Sequence, residues 1–307
     1  MHQSSRSIPL SLAAPIVFFW ASGYPTGALG VAAAPPFLLT AVRLALATAV
    51  LAVIALASGA AWPTGGGLGH CAAAGLLTHA TQFGGCYGGM AAGVPASVTA
   101  LVISMNPVLT AALAAVLLRE KLSRWRLLGL VLGVLAVLVT LGGQVAAEGE
   151  WNPAILLTLL GLLGFSAGGL YQQRYCGAVD LRSGAAVQTA AAALVVGLIA
   201  LFEHGQVAHW AQAGLCVLWL TITGSVLGVS SYLRAVAIGG AARASALFSA
   251  VPPVTAVLAW PILGETPSAA AVLGIALATT ACALGTRSGT GAPSPAPEGA
   301  TRAEPRA

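Results

Sequence analysis

Ser104-Met105-Asn106-Pro107-Val108-Leu109-Thr110, followed by Leu118-Arg119-Glu120, Ser123 and Gly129, returns 145 positions later. There it reads Ser249-Ala250-Val251-Pro252-Pro253-Val254-Thr255, followed by Leu263-Gly264-Glu265, Ser268 and Gly274. The step keeps the serines, proline, threonine, glutamate and glycine in place, but it does not keep the charges. Arg119, Lys121, Arg124 and Arg126 fall on Gly264, Thr266, Ala269 and Ala271, whereas Arg234 and Arg243 trace back to Gly89 and Val98. Basic residues hold a loop on the cytoplasmic side of a membrane. Two copies with their basic residues in opposite loops are therefore expected to sit upside down to one another, an arrangement found above all in transporters.

Composition points the same way. Hydrophobic residues make up 58% and charged residues 7%, with a mean hydropathy of +0.89, whereas a soluble domain carries roughly a quarter charged residues. The formal charge of +5 comes from thirteen Lys and Arg spread thinly between apolar runs, which form no patch for nucleic acid. Cys71, Cys86, Cys176, Cys216 and Cys282 are odd in number and lack metal-type spacing, so they read as small apolar packing residues. No metal and no cofactor is expected.

Apolar stretches long enough to cross ~30 Å of hydrocarbon recur ten times, near 11–31, 36–57, 68–90, 96–118, 126–143, 153–174, 184–202, 211–233, 244–263 and 268–286. None carries the polar face of a soluble bundle helix or the alternation of a barrel strand. The predicted fold is an all-α membrane protein of ten transmembrane helices. Its parts are a cytoplasmic N-terminus (1–10), a first five-helix repeat (11–145), a second (151–286) and a disordered cytoplasmic tail (287–307). With the N-terminus inside, twelve of the thirteen basic residues fall on the cytoplasmic side, Arg43 lying within a span. The expected location is the cell (inner) membrane, both termini cytoplasmic. The lipid bilayer and a small-molecule substrate are the expected partners, in a monomer or homodimer.

The quoted motifs, together with Trp20-Ala21-Ser22-Gly23-Tyr24 and Arg43 in the second span, resemble the EamA-type proteins of the drug/metabolite transporter superfamily over residues 11–286. That resemblance implies five plus five helices around a central cavity, and export of a metabolite, amino acid or drug.

Few residues carry chemistry. Pro107 and Pro252 fall mid-helix, where a proline frees a carbonyl and kinks the chain; each is a hinge, a cavity wall or a packing kink. Glu120 and Glu265 end the same helices on opposite faces and are expected to cap the helix that follows, with Ser123 and Ser268, rather than to shuttle protons. His79 is a mid-span group that titrates near neutral pH, so it either contacts substrate or a coupled proton, or packs as a hydrogen-bonded residue. Arg43, with Gln188 as its counterpart, either fills a structural hydrogen-bonding role or faces the cavity. Trp20, Tyr24, Asn106, His79 and Tyr171 are the candidate substrate-binding residues. Tyr87 and Tyr232, one step apart, serve as cavity groups or interfacial anchors; Gln172 and Ser230 also lie at useful depth.

Secondary transport leads. No G-x-x-x-x-G-K-[S/T] loop is present for nucleotide-driven pumping, and the clustered His, Asp or Glu of an intramembrane enzyme are absent from the spans. The first helix also lacks the embedded glutamate suited to a cationic drug. A neutral or zwitterionic solute such as an amino acid is therefore favoured over a drug or other metabolite.

Overall fold

Lipid offers no hydrogen bonds, so a chain of apolar runs must satisfy its backbone internally, and a helix does so within each run. The computed structural model describes residues 8–117, 124–228, 231, 234–235, 238, 244 and 247–287, and every regular element among them is helical. The first repeat comprises α1 (Leu10–Ala33), α2 (Pro36–Ala57) and a third helix built of α3 (Gly66–Gly75), a π-helical stretch (Leu76–Thr81) and α4 (Gln82–Ala91). A broken fourth helix, α5 (Ala96–Ser104) and α6 (Asn106–Leu117), and then α7 (Arg124–Glu148) complete it. The second repeat runs through α8 (Ile155–Tyr175), α9 (Leu181–Ala200) and α10 (Trp210–Leu220), which continues into a second π-helical stretch (Thr221–Gly228). A 3₁₀ turn (Leu247–Ala250) leads into α11 (Val251–Leu263), and α12 (Ala269–Arg287) follows.

Among the described residues, five helical stretches of 20 to 24 residues are long and apolar enough to cross a membrane by themselves. Outer helix faces are apolar: Val116 of α6 is 76% exposed and Val257 of α11 68%, a surface suited to lipid and not to water.

The inversion is visible in which ends touch. At one end of α2, the Glu203 carboxylate that follows α9 accepts from the amides of Phe37 (3.2 Å) and Leu38 (3.0 Å). At its other end, Arg182 and Ser183, which open α9, donate to the carbonyls of Ser58 and Ala61. α2 and α9 start 145 positions apart, yet they run antiparallel. The third helix of the first repeat meets α8 in the same sense. Asn152 donates to the Ala92 carbonyl at 3.0 Å, and His70 bonds Tyr171 at 2.8 Å at the opposite end. Small residues allow this approach: a Cβ on Gly85 would run into the Leu157 carbonyl and lie 2.9 Å from the Gly161 amide nitrogen, so the backbones of α4 and α8 are in contact. Among the described residues, the most extensive contacts join α7 to α12 and α2 to α9, each helix to its mate.

Two expectations change. Pro107 and Pro252 do not kink continuous helices; each is the second residue of a new one, where proline's missing amide costs nothing. The breaks fall at Met105 and Ala250, again 145 apart. At the first, the amides of Val108 and Leu109 both turn to the Met105 carbonyl (3.0 and 2.9 Å), and the carbonyl of Ser104 accepts from the Cys282 thiol at 3.0 Å.

Glu265, in turn, does not cap the helix that follows it. Its carboxylate takes the amides of Ala96 (2.9 Å) and Ser97 (3.2 Å) and the Ser97 hydroxyl (2.8 Å). It therefore caps α5 in the other repeat, whose free N–H groups attract an anion. The antiparallel packing sets the end of α11 beside the start of α5, and α12 keeps Ser268 as its own cap, accepting from Ala271 at 3.1 Å. At the start of α9, Asp180 plays the capping role, and its bonds to Arg182 hold its carboxyl down at about 2. All five cysteines are buried. Arg119, Glu120, Lys121, Ser123, Ser230, Tyr232, Arg243 and the two tails lie outside the described residues.

Candidate functional site

Between the two repeats lies a cavity of about 300 Å³, the lower end of the range for small-molecule sites. Twelve of its eighteen lining residues come from the first repeat, so its chemistry is not symmetric. α1 supplies Phe19, Trp20, Gly23 and Tyr24; α2 supplies Arg43, Leu44 and Leu51; the third helix supplies His79, Gln82, Phe83, Cys86 and Tyr87. The second repeat contributes Phe165, Ala185, Thr189, Leu220, Thr223 and Gly224.

Local structure explains how these side chains are held. Trp20 rests on Phe248, ring centroids 4.3 Å apart. His79 sits on the first π-helical stretch, where the Thr81 hydroxyl reaches back five residues to the Leu76 carbonyl at 3.0 Å. The widened turn is a recurrent device at functional sites. Here it places the His79 ring almost parallel to Phe83 (8°), with centroids 6.1 Å apart. The second π-helical stretch begins 145 residues on and delivers Gly224, the counterpart of His79, to the same cavity. Trp20 and Phe165, and Leu44 and Thr189, are further pairs that one step relates and one cavity unites.

Arg43 is the most constrained group. It is 7% exposed, donates from Nη1 to the Tyr87 hydroxyl at 2.9 Å, and lays its guanidinium 4.0 Å from the Phe83 ring centroid. Gly224 makes room for it, since a Cβ there would lie 3.0 Å from Nη2. Of the two sequence-level alternatives, Arg43 therefore meets both: it is bonded structurally, and it faces the cavity. The ion pair among the described residues is Arg182–Asp180, well away from it along the chain.

Of the five residues singled out in the sequence for substrate contact, Trp20, Tyr24 and His79 line this cavity. Asn106 does not; its Oδ1 accepts from Ser166 at 2.9 Å and Thr110 at 3.1 Å, tying α6 to α8. Tyr171 also lies elsewhere, bonded to His70 and packed against Tyr175 with centroids 4.7 Å apart. Pro107 and Pro252 are not among the lining residues. Phe165, Thr189 and Thr223 escaped the sequence reading, although Phe165 was one step away from Trp20 and legible by that route. A second void, of about 250 Å³, is lined only by apolar residues such as Met105, Val108 and Leu159. It offers no polar group to orient a solute.

The architecture has a solved counterpart. A structure titled only "Crystal structure of protein" superposes with a TM-score of 0.61 at 23% identity, covering 89% of this chain and 96% of that one; this likeness speaks to the fold alone. No curated protein matches the chain. The sequence model of the EamA-like transporter family matches twice, over residues 7–142 and 152–287, one match for each inverted half. With both repeats matched, the chain belongs to the EamA-like transporter family.

Proposed function

We propose that this membrane transporter exports a small metabolite such as an amino acid by alternating access, working as a monomer or homodimer in the cell (inner) membrane with both termini cytoplasmic. The observation that carries the reading is the cavity between antiparallel halves, lined by Trp20, Tyr24 and His79. Solute sites of inverted-repeat transporters lie at that repeat interface. Paired helix breaks at Met105 and Ala250, just ahead of Pro107 and Pro252, supply a hinge in each half. Membership of an exporter-rich family supports the outward direction, and the basic loops support the orientation.

Growth on inhibitory concentrations of amino acids and their analogues tests the reading. Cells making the protein should tolerate at least one compound better than cells without it, and Trp20→Ala should remove the advantage while leaving the amount of membrane protein unchanged. Equal tolerance across the whole panel rejects amino-acid export.

His79 carries the coupled proton in this scheme, since it is a titratable imidazole on the π-helical stretch within the cavity. Trp20, Tyr24, Arg43, Gln82, Cys86 and Tyr87 are the polar groups that share the cavity from the first repeat. His79→Gln keeps donor and acceptor capacity and should retain solute binding but lose accumulation driven by a pH gradient in vesicles. Accumulation equal to that of the unaltered protein makes His79 structural.

A further inference from the structure

The cavity holds a cation, Arg43, that no acid among the described residues pairs with. Arg43 is buried and faces it with one hydrogen bond to a neutral phenol, Tyr87, at 2.9 Å among the described residues. The chain's acidic residues are Glu120, Glu148, Glu150, Asp180, Glu203, Glu265, Glu298 and Glu304, and none falls within the first four spans or α8 and α9. Two of them, Glu203 and Glu265, are committed to helix ends. Glu203 caps α2 through Phe37 and Leu38, five to six residues before Arg43, or ~8 Å along the helix axis. Glu265 caps α5 through Ala96 and Ser97. A guanidinium at this depth costs several kcal/mol without a partner, and its planar fork of donors matches a carboxylate in two-point contact. The Phe83 ring, its centroid 4.0 Å from the guanidinium carbon, backs that fork, and Gly224 puts no Cβ against Nη2, where one would lie 3.0 Å away.

We propose that Arg43 is the anchor for the carboxylate of the transported solute, and that this cavity selects small carboxylates with an apolar or aromatic body. Tyr24, Trp20, Phe19 and Phe165 form the wall against which that body packs. An amino acid fits the class. Its carboxylate takes Arg43, and its ammonium, finding no acid in the cavity, takes the faces of Trp20 and Tyr24. This assignment rests on the transport reading, because it takes the cavity as the solute's path.

The test is binding to the full-length purified protein, using 3-phenylpropanoate, its uncharged amide and L-phenylalanine as probes and calorimetry as the readout. Both carboxylates should bind saturably and the amide at least about tenfold more weakly, a difference of ~1.4 kcal/mol. Arg43→Gln should bring the carboxylates down to the affinity of the amide without changing the amide, whose binding also verifies that the variant is folded. Arg43→Lys, which keeps the charge but loses the fork, should fall between the two. Equal affinity for acid and amide, a preference that survives Arg43→Gln, or no saturable binding of either carboxylate overturns the assignment. Flux measured on the same preparations separates the two readings. Flux of a solute for which the amide competes as well as the acid rejects the carboxylate anchor and leaves transport standing. Carboxylate binding that depends on Arg43 without any flux keeps the anchor and rejects transport.

Discussion

The two halves of this protein share their backbone and divide their chemistry. Both interrupt the third helix with a π-helical stretch, beginning at Leu76 and Thr221, and both break the fourth, at Met105 and Ala250. Side chains at the same positions diverge. His79 answers to Gly224, Arg43 to Gln188 and Trp20 to Phe165. The backbone devices recur in both halves, as the proposed alternating access requires of halves that bend against each other. In the proposed transport a recognition group is needed once, because both halves line the same cavity. Asymmetry here even has a steric motive: the glycine at 224 is what admits the arginine at 43. Under the proposed function, duplicated positions report on folding and divergent ones on the solute.

The largest effect should come from the shared frame. Gly85→Leu drives a side chain into the α8 backbone at Leu157 and Gly161, overpacking that costs about 1–3 kcal/mol or more. The yield of monodisperse protein on gel filtration should collapse. Gly142→Leu, on a helix position where a Cβ meets nothing within 4 Å, should give normal yield. Similar behaviour of the two variants would mean that the contact between the halves is not tight.

Next comes the divided chemistry. Trp20→Ala should lower the rate of solute flux by about tenfold or more, equal to ~1.4 kcal/mol, whereas its counterpart Phe165→Ala should lower it only two- to threefold, about 0.4–0.7 kcal/mol. Equal losses in a vesicle assay would erase the functional difference between the halves.

The smallest effect belongs to the cross-repeat cap. Glu265→Ala removes the acceptors for the amides of Ala96 and Ser97, a loss of about 0.5–2 kcal/mol. It should lower the thermal midpoint of the purified protein by a few degrees while sparing the affinity for solute. An unchanged midpoint would mean water satisfies those amides equally well.

Much of this was legible in the residues. The 145-residue step, the ten apolar runs and the alternating basic loops depend on composition and spacing, which lipid constrains strongly. Trp20, Tyr24 and His79 were found by depth alone. Asn106 shows where that method ends, because a polar side chain in mid-membrane seeks any partner, and Ser166 of a neighbouring helix satisfied it before a cavity did. The π-helical stretches leave no mark in the sequence, being a change of hydrogen-bond register and not of residue type. The sequence predicts Glu265 as the cap of the helix that follows it; the helix it does cap begins more than 160 residues earlier, and only the antiparallel packing of the halves reveals it. Arg43 was visible as a buried charge; that it faces the cavity emerged only with Phe83, Tyr87 and Gly224 around it.

The central claim, that solute passes through the cavity between the halves, is tested most directly by one reactive thiol. In protein whose five native cysteines are replaced by alanine, Ala185→Cys places a thiol in the cavity wall, and Val257→Cys places one on the lipid-facing surface. Flux should stop when the cavity thiol reacts with a small membrane-impermeant reagent, transported solute should slow that reaction, and labelling should proceed from either side of the membrane in turn. A permeant reagent at position 257 should leave flux intact. Full flux after complete labelling at position 185 would contradict the account.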